Sequence, residues 1–282
     1  MRVNVRVLGC SGGIGGARQR TTSFLVGSNT LIDAGTGVGE LDLLQLRAID
    51  HVFVTHSHLD HVLGIPLILD AVGGMRKRPL TVHALPATIE ALRKHLFNWT
   101  IWPDFTVIPS PAEPGLQFSP LVSGQTVFIG KTVRVTALPA VHVVPALGYQ
   151  IDSGQGSLVF TGDTAPNPAL WPIVNAISNL RHLIIECAFS EADRTLAQLS
   201  CHLCPSLLAL ELAQLNPMPS GAAVSSHASQ STLLALSNGA PGPAIHVTHL
   251  KPGDSERTMA EVVRLVPALR IGRLIEDAEF EL

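Results

Sequence analysis

Seven consecutive residues constrain this chain more than any others: Thr55-His56-Ser57-His58-Leu59-Asp60-His61. They follow Val52-Phe53-Val54, an apolar run with the look of a buried strand, so three imidazoles and a carboxylate crowd together where that strand ends. Near neutral pH an imidazole offers a lone pair to a borderline-soft cation such as zinc, and Asp adds an anionic oxygen. His56 and His58 alternate, so on an extended turn both point to one side, while Asp60 and His61 begin the next helix and face a second position. The competing interpretation is a polar, solvated turn, but a chance H-x-H-x-D-H in one chain is on the order of one in a thousand.

A centre holding two metals needs further ligands, and three lie behind apolar runs. His142 follows Val133 to Leu138, Asp163 follows Leu158-Val159-Phe160-Thr161-Gly162, and His249 follows Ile245-His246-Val247-Thr248. Singly, each is equally well a loop histidine or a turn aspartate. Together they complete the set that the 56–61 segment requires.

Periodicity places strands near 2–8, 22–26, 30–34, 51–55, 80–84, 132–138, 147–152, 156–161, 182–186, 221–225 and 244–248. Helices are expected from about Asp60 and near 87–97, 205–215, 229–238 and 256–267. The Pro-, Gly- and Ser-rich stretch 103–126 reads as an irregular connection. Two strand-rich blocks each yield to helices, a pattern that can stack two sheets and cover their outer faces. The amino terminus alternates polar and apolar residues and reads as a strand rather than a signal peptide, so a cytoplasmic protein without a membrane span is expected. Net charge is −3, which gives no broad basic field for a long nucleic acid. Cys201 and Cys204 form a lone C-x-x-C, expected to be surface or packed thiols rather than a zinc knuckle. Arg76-Lys77-Arg78 reads as a solvated turn. Trp99, Trp102, Phe105 and Phe189 are expected in the core before any stacking role, and His51, His83, His95, His182, His227 and His246 at surface or structural positions.

With these residues in place, the chain resembles the metallo-β-lactamase superfamily along effectively its whole length. The resemblance implies an α/β fold, a four-layer αββα sandwich, formed by residues 1–282 as one domain with two pseudo-equivalent halves, about 1–128 and 129–282. It implies two Zn²⁺ ions, with Mn²⁺ or Fe²⁺ as alternatives. One ion takes His56, His58 and His142; the other takes Asp60, His61 and His249; Asp163 bridges them. Asp33, in Leu31-Ile32-Asp33-Ala34-Gly35, matches an early buried aspartate that supports the ligands.

Within the superfamily, His56-Ser57-His58-Leu59-Asp60-His61-Val62-Leu63-Gly64 looks like the class II cyclic nucleotide phosphodiesterase signature, although the residues after Gly64 depart from its fullest form. Ile185-Glu186-Cys187-Ala188-Phe189, Cys201-His202-Leu203 and Thr248-His249-Leu250-Lys251-Pro252 are similar to blocks of the same group. The expected activity is hydrolysis of 3′,5′-cyclic nucleotides to 5′-nucleotides by a metal-bridging hydroxide. Asp60, Glu186 and His202 are the catalytic candidates: Asp60 orients the hydroxide, and His202, oriented by Glu186, protonates the departing oxygen. Glu186 is alternatively a structural ion-pair residue. The next resemblance is to tRNase Z, the tRNA 3′-processing nuclease, which shares Thr161-Gly162-Asp163-Thr164, the Glu186 and His202 blocks and a stretch like Val143-Val144-Pro145-Ala146-Leu147-Gly148-Tyr149; its Gly- and Lys-rich arm is missing here, so RNA ranks below a small phosphodiester. A metal-binding sensor without catalysis is the alternative of another kind. A homodimer fits the resemblance, and nothing in the chain itself indicates one.

Overall fold

Alternation of apolar side chains divides the computed structural model, which describes residues 3–16, 18–216 and 242–282, into stacked layers. The strand expected at 221–225, the helix at 229–238 and His227 lie outside the described residues.

The first sheet begins with β1 (Asn4–Gly9), β2 (Ser23–Val26) and β3 (Thr30–Ile32), paired antiparallel in succession. Helix α1 (Leu43–Ala48) leads to β4 (His51–Phe53), and α2 (Leu59–Val62) with α3 (Gly64–Val72) leads to β5 (Leu80–Ala84). β3, β4 and β5 run parallel, so their carboxyl ends share one edge. The start of α1 is set locally: the Asp42 side chain accepts from Gln45 N at 2.8 Å while the Gln45 side chain accepts from Asp42 N at 3.0 Å, which satisfies two amides that the helix cannot. Helix α4 (Pro86–His95) follows β5, with its proline in the first turn, where the missing N–H costs nothing.

The stretch 103–126 is more ordered than expected. It contains a hairpin of β6 (Pro109–Ser110) and β7 (Glu113–Pro114), then β8 (Leu116–Pro120), which adds parallel to β5 as an edge strand of the first sheet. An edge strand needs only one satisfied side, so a closing proline and partly exposed side chains are tolerated there; those same features hid it from pattern reading.

The second sheet runs through β9 (Thr126–Ile129), β10 (Val133–Pro139), β11 (Leu147–Asp152) and β12 (Ser157–Phe160), all antiparallel in succession. Helix α5 (Trp171–Asn175) precedes β13 (Leu180–Glu186); α6 (Arg194–Leu199) and α7 (Pro205–Leu212) come before β14 (Ala244–Thr248), and α8 (Ser255–Leu265) precedes β15 (Ile271–Arg273). β12 to β15 run parallel. The last strand, β16 (Glu279–Glu281), returns to the first sheet beside β1.

Three cores separate four layers. Phe53 and Ile32 from the first sheet meet Tyr149, Phe160 and Ile184 from the second in a central core. Their neighbours in sequence point the other way: Val52 and Val54 pack with Ile65 and Leu69 of α3, and Leu183 and Ile185 with Leu208 of α7 and Val262 of α8. The period-two alternation of β-strands thus builds a helix–sheet–sheet–helix sandwich, the α/β architecture expected. Among the described residues, no helix is long and apolar enough to cross a membrane.

Candidate metal centre

Every candidate ligand follows the carboxyl end of a strand or lies in the turn just beyond it. Asp33 follows β3, His56 to His61 follow β4, Asp163 follows β12, Glu186 ends β13, and His249 follows β14. β10 is antiparallel to β11, which is antiparallel to β12; the end of β10 therefore reaches the same edge and delivers His142. The sheets are joined there by Leu147 N bonding Thr55 O at 2.9 Å and Tyr149 Oη bonding Val54 O at 2.7 Å.

The distances are those of a ligand cage. His58 Nδ1 and His142 Nε2 are 3.2 Å apart. Asp163 Oδ2 lies 3.3 Å from His61 Nε2 and 3.8 Å from His56 Nε2, and its Oδ1 lies 3.3 Å from His249 Nδ1. Asp60 Oδ2 is 3.7 Å from His61 Nε2. Donors about 2.0–2.1 Å from a tetrahedral zinc stand roughly 3.3 Å from one another. Two trios, His56–His58–His142 and Asp60–His61–His249, each keep their donor atoms within 4.8 Å and could hold an ion.

The unsatisfied atoms carry the fit. His56 Nε2, His61 Nε2, Asp163 Oδ1 and His249 Nδ1 are all buried with no hydrogen-bond partner. Burying one polar atom unpaired costs about 1–3 kcal/mol, so four facing one another call for a shared partner. A pair of cations would satisfy all four, and the donor set of imidazole and carboxylate suits zinc.

Supporting residues aim the rings. Asp33 Oδ2 accepts from His61 Nδ1 at 2.7 Å, and Thr55 N and Oγ1 donate to the same carboxylate at 2.8 Å each. With its hydroxyl proton on Asp33, Thr55 Oγ1 accepts from His56 Nδ1 at 3.0 Å. One buried carboxylate therefore turns Nε2 of both His56 and His61 toward the cage. His142 is aimed by another route: its Nδ1 donates to Cys201 O at 3.0 Å. Asp33, Cys201 and His249 all adopt positive φ, at 55°, 54° and 60°. Such backbone conformations cost energy and persist where the surroundings over-determine them, as at functional sites. Gly162 supplies the turn before Asp163, where φ is 65° and a Cβ would stand 2.5 Å from Leu147 O.

The electrostatics couple the groups of the cage: burial would lower His61, but Asp163 and Asp33 outweigh it and raise that ring well above the usual range. Burial pushes His249 down to about 3 and His56 well below the usual range, so both rings are neutral. Burial would raise the Asp163 carboxyl, but His249 and His61 hold it well below the ordinary carboxylate range. Its charge is the natural counterpart of cations.

Beside the cage, Glu186 is saturated: Oε1 accepts from His202 Nδ1 at 2.8 Å and Thr164 N at 3.0 Å, and Oε2 from Ala188 N at 3.0 Å and Leu203 N at 3.3 Å. The His202 ring stacks 5.3 Å from His249 and lies 4.8 Å from His142. Burial alone would lower the proton affinity of His202, but Glu186 outweighs it and raises it. Its Nδ1 is committed to Glu186, which leaves Nε2 free for proton transfer. His202 also lies within ligand distance of His142 and Asp163.

Other singled-out residues sit elsewhere. Trp102 and Phe105 pack on the helix side of the first sheet, and Trp99 is 66% exposed. His51 pairs with His83 and His182 with His246, at 3.1 and 3.2 Å. All four described cysteines are free thiols. Arg76 corrects its expectation: its side chain is only 5% exposed, because its guanidinium pairs with Asp50 at 3.1 Å and donates to Arg47 O at 2.6 Å. What pattern reading missed was the backbone role of Cys201 and the hydroxyl relay of Thr55.

The beta-lactamase superfamily domain profile matches residues 28–262, and the chain belongs to that superfamily. It is 34% identical to a probable 3′,5′-cyclic-nucleotide phosphodiesterase of Yersinia pestis over 125 residues, 43% of this chain and 35% of that protein. It is 28% identical to ribonuclease Z of Haloarcula marismortui over 159 residues, 54% of this chain and 48% of that protein. The chain thus spans less than half the length of these curated relatives. Unliganded yeast PDE1 superposes with a TM-score of 0.75 at 19% identity, covering 99% of each chain, a likeness of fold.

Proposed function

We propose that this chain is a dinuclear metal phosphodiesterase that hydrolyses 3′,5′-cyclic nucleotides to 5′-nucleotides. The observation that carries the diester hydrolysis is the Glu186–His202 pair, 2.8 Å apart and stacked against the cage at His249. A hydrolase that must expel a poor alkoxide needs an acid beside the scissile bond, and His202 is an oriented one.

In this reading His56, His58 and His142 would hold one ion, Asp60, His61 and His249 the other, and Asp163 would serve both. Such ions, zinc by donor chemistry, would supply positive charge that offsets charge developing on the phosphoryl oxygens and would make water acidic near neutral pH. Asp60, 32% exposed at its side chain where the other cage carboxylate is buried, orients the attacking water and takes its proton. His202 donates from Nε2 to the departing 3′-oxygen while Glu186 stabilises the charge on the ring. The two sheets hold these groups at fixed separation, so little is reorganised during the reaction.

The likeness to a named cyclic-nucleotide phosphodiesterase of Yersinia pestis supports the substrate, and the small net charge supports a small diester over a polymer. The test offers zinc- or manganese-loaded protein cyclic AMP, cyclic GMP, bis(p-nitrophenyl) phosphate and a precursor tRNA. Turnover of the cyclic nucleotides is expected. Hydrolysis of the generic diester and the precursor tRNA without cyclic-nucleotide turnover would overturn the substrate assignment in favour of a nuclease.

A further inference from the structure

Three of the caged rings are aimed by hydrogen bonds from outside the cage, and His249 is aimed differently. His61 is held by Asp33, His56 by Thr55 and His142 by the Cys201 carbonyl. Among the described residues no supporting group hydrogen-bonds the His249 ring, whose Nδ1 faces Asp163 Oδ1 at 3.3 Å. Its direction is set by the backbone instead. His249 sits at φ 60°, a conformation that costs a non-glycine residue energy and persists only where its surroundings hold it. Its N–H donates to Cys10 O at 2.9 Å, Thr248 Oγ1 donates to the same oxygen at 3.0 Å, and Gly12 N–H donates to Leu250 O at 3.1 Å. Gly12 comes so close that a Cβ there would stand 2.2 Å from His249 O and 3.0 Å from Cδ2 of its ring. The 10–12 segment is thus the surface against which this ligand rests.

Lys251, two residues further on, fastens that segment. Its Nζ donates to Gly12 O at 2.7 Å, and its N–H donates to Ala188 O at 3.2 Å. Ala188 N–H in turn donates to Glu186 Oε2 at 3.0 Å, so one residue joins the 10–12 segment to the strand end that carries Glu186. The ammonium also lies 5.9 Å from the centroid of the Phe189 ring, within the range of a cation–π contact that helps fix the side chain. Lys251 is half-buried and Gly12 is buried, and a charged donor makes the bond to the Gly12 carbonyl stronger than one between neutral groups. We propose that Lys251 is a positioning residue: it clamps the 10–12 segment over His249 and so keeps that ring aimed at the cage. The inference rests on the dinuclear reading, with His249 as a ligand, and adds to it a group that touches neither ion nor substrate.

The experiment titrates zinc into the metal-free protein by calorimetry, for the wild type, Lys251→Met, Lys251→Arg, His249→Ala and the Lys251→Met/His249→Ala double variant. Lys251→Met should weaken one of the two ions about tenfold, the lower end of what groups supporting a metal ligand contribute, and leave the other unchanged. Lys251→Arg, which can still donate to Gly12 O, should stay near the wild type. In the double variant Lys251→Met should add nothing to the loss from His249→Ala, because its effect passes through a ring that is no longer there. Losses that add in full would overturn the proposal, as would equal zinc affinity in the wild type and Lys251→Met. So would a metal-free Lys251→Met protein that melts earlier yet binds both ions as tightly, since the tie would then be structural alone. Gly12→Ala tests the contact from the loop side: its Cβ pushes on His249, and the same ion should weaken. Unchanged binding of both ions in that variant would contradict the clamp even if Lys251→Met failed to fold. A wild type that binds no zinc would sink the dinuclear reading itself, whereas two ions held equally well without Lys251 would remove only the part given to this residue.

Discussion

Asp163→Asn should bind less than one metal ion per chain and lose at least about 100-fold in diester hydrolysis. Changes to groups that only support metal ligands already cost about 10–100-fold, and Asp163 stands among the ligands themselves. Its two oxygens face His61 and His56 on one side and His249 on the other, so among the described carboxylates it alone pairs with rings of both trios. Asn has nearly the same shape, and the metal-free variant should therefore fold with unchanged far-ultraviolet circular dichroism. The contrast appears on adding zinc. An ion present at a hundred times its Kd stabilises a protein by about 2.7 kcal/mol, which in a chain of this size raises Tm on the order of 5 °C. The wild type should show that rise and Asp163→Asn should not. A variant that keeps two ions and full activity would remove Asp163 from the centre.

His202→Ala should behave in the opposite sense. Turnover should fall about 10²–10⁴-fold, the usual contribution of a positioned general acid, while metal content and the zinc-dependent rise in Tm are retained. The loss should shrink for bis(p-nitrophenyl) phosphate, whose leaving group departs without a proton. His202 also lies within ligand distance of His142 and Asp163, so the readout must separate the two roles. Loss of an ion together with activity would make it a ligand and would cancel its part as acid. Glu186→Gln gives the companion result: with the Nδ1 hydrogen bond weakened and the charge gone, the fall should follow that of His202→Ala at unchanged metal content.

How far such a centre is legible in a sequence depends on whether its parts carry side-chain signals. His56, His58, Asp60 and His61 crowd into one turn after an apolar run, and Asp163 and His249 each follow a run that becomes β12 or β14; strand ends announce themselves. Asp33 was reached only through the family resemblance, although β3 stops just before it. Cys201 was not. Its contribution to His142 is a carbonyl oxygen presented by a residue at φ 54°, and a backbone group leaves no trace in residue type. The nearness of Phe189 to Lys251 is similarly silent, because it arises from β13 and β14 lying side by side although 62 positions separate the two residues. Short edge strands escaped as well: β15 and β16 have three residues each, and unlike the equally short β3 and β4 they contain no two adjacent apolar residues. The layers themselves were predictable, because burial on both faces makes Val52-Phe53-Val54 and Leu183-Ile184-Ile185 continuous apolar runs.

All of the chemistry depends on imidazoles and carboxylates from two sheets closing around a pair of cations. Metal content of the purified wild-type protein, measured by plasma mass spectrometry after zinc loading and exhaustive dialysis, tests that dependence most directly. Two ions per chain are expected, falling below one in Asp163→Asn. A wild-type protein that retains none, or that retains two whether or not Asp163 is present, would contradict it.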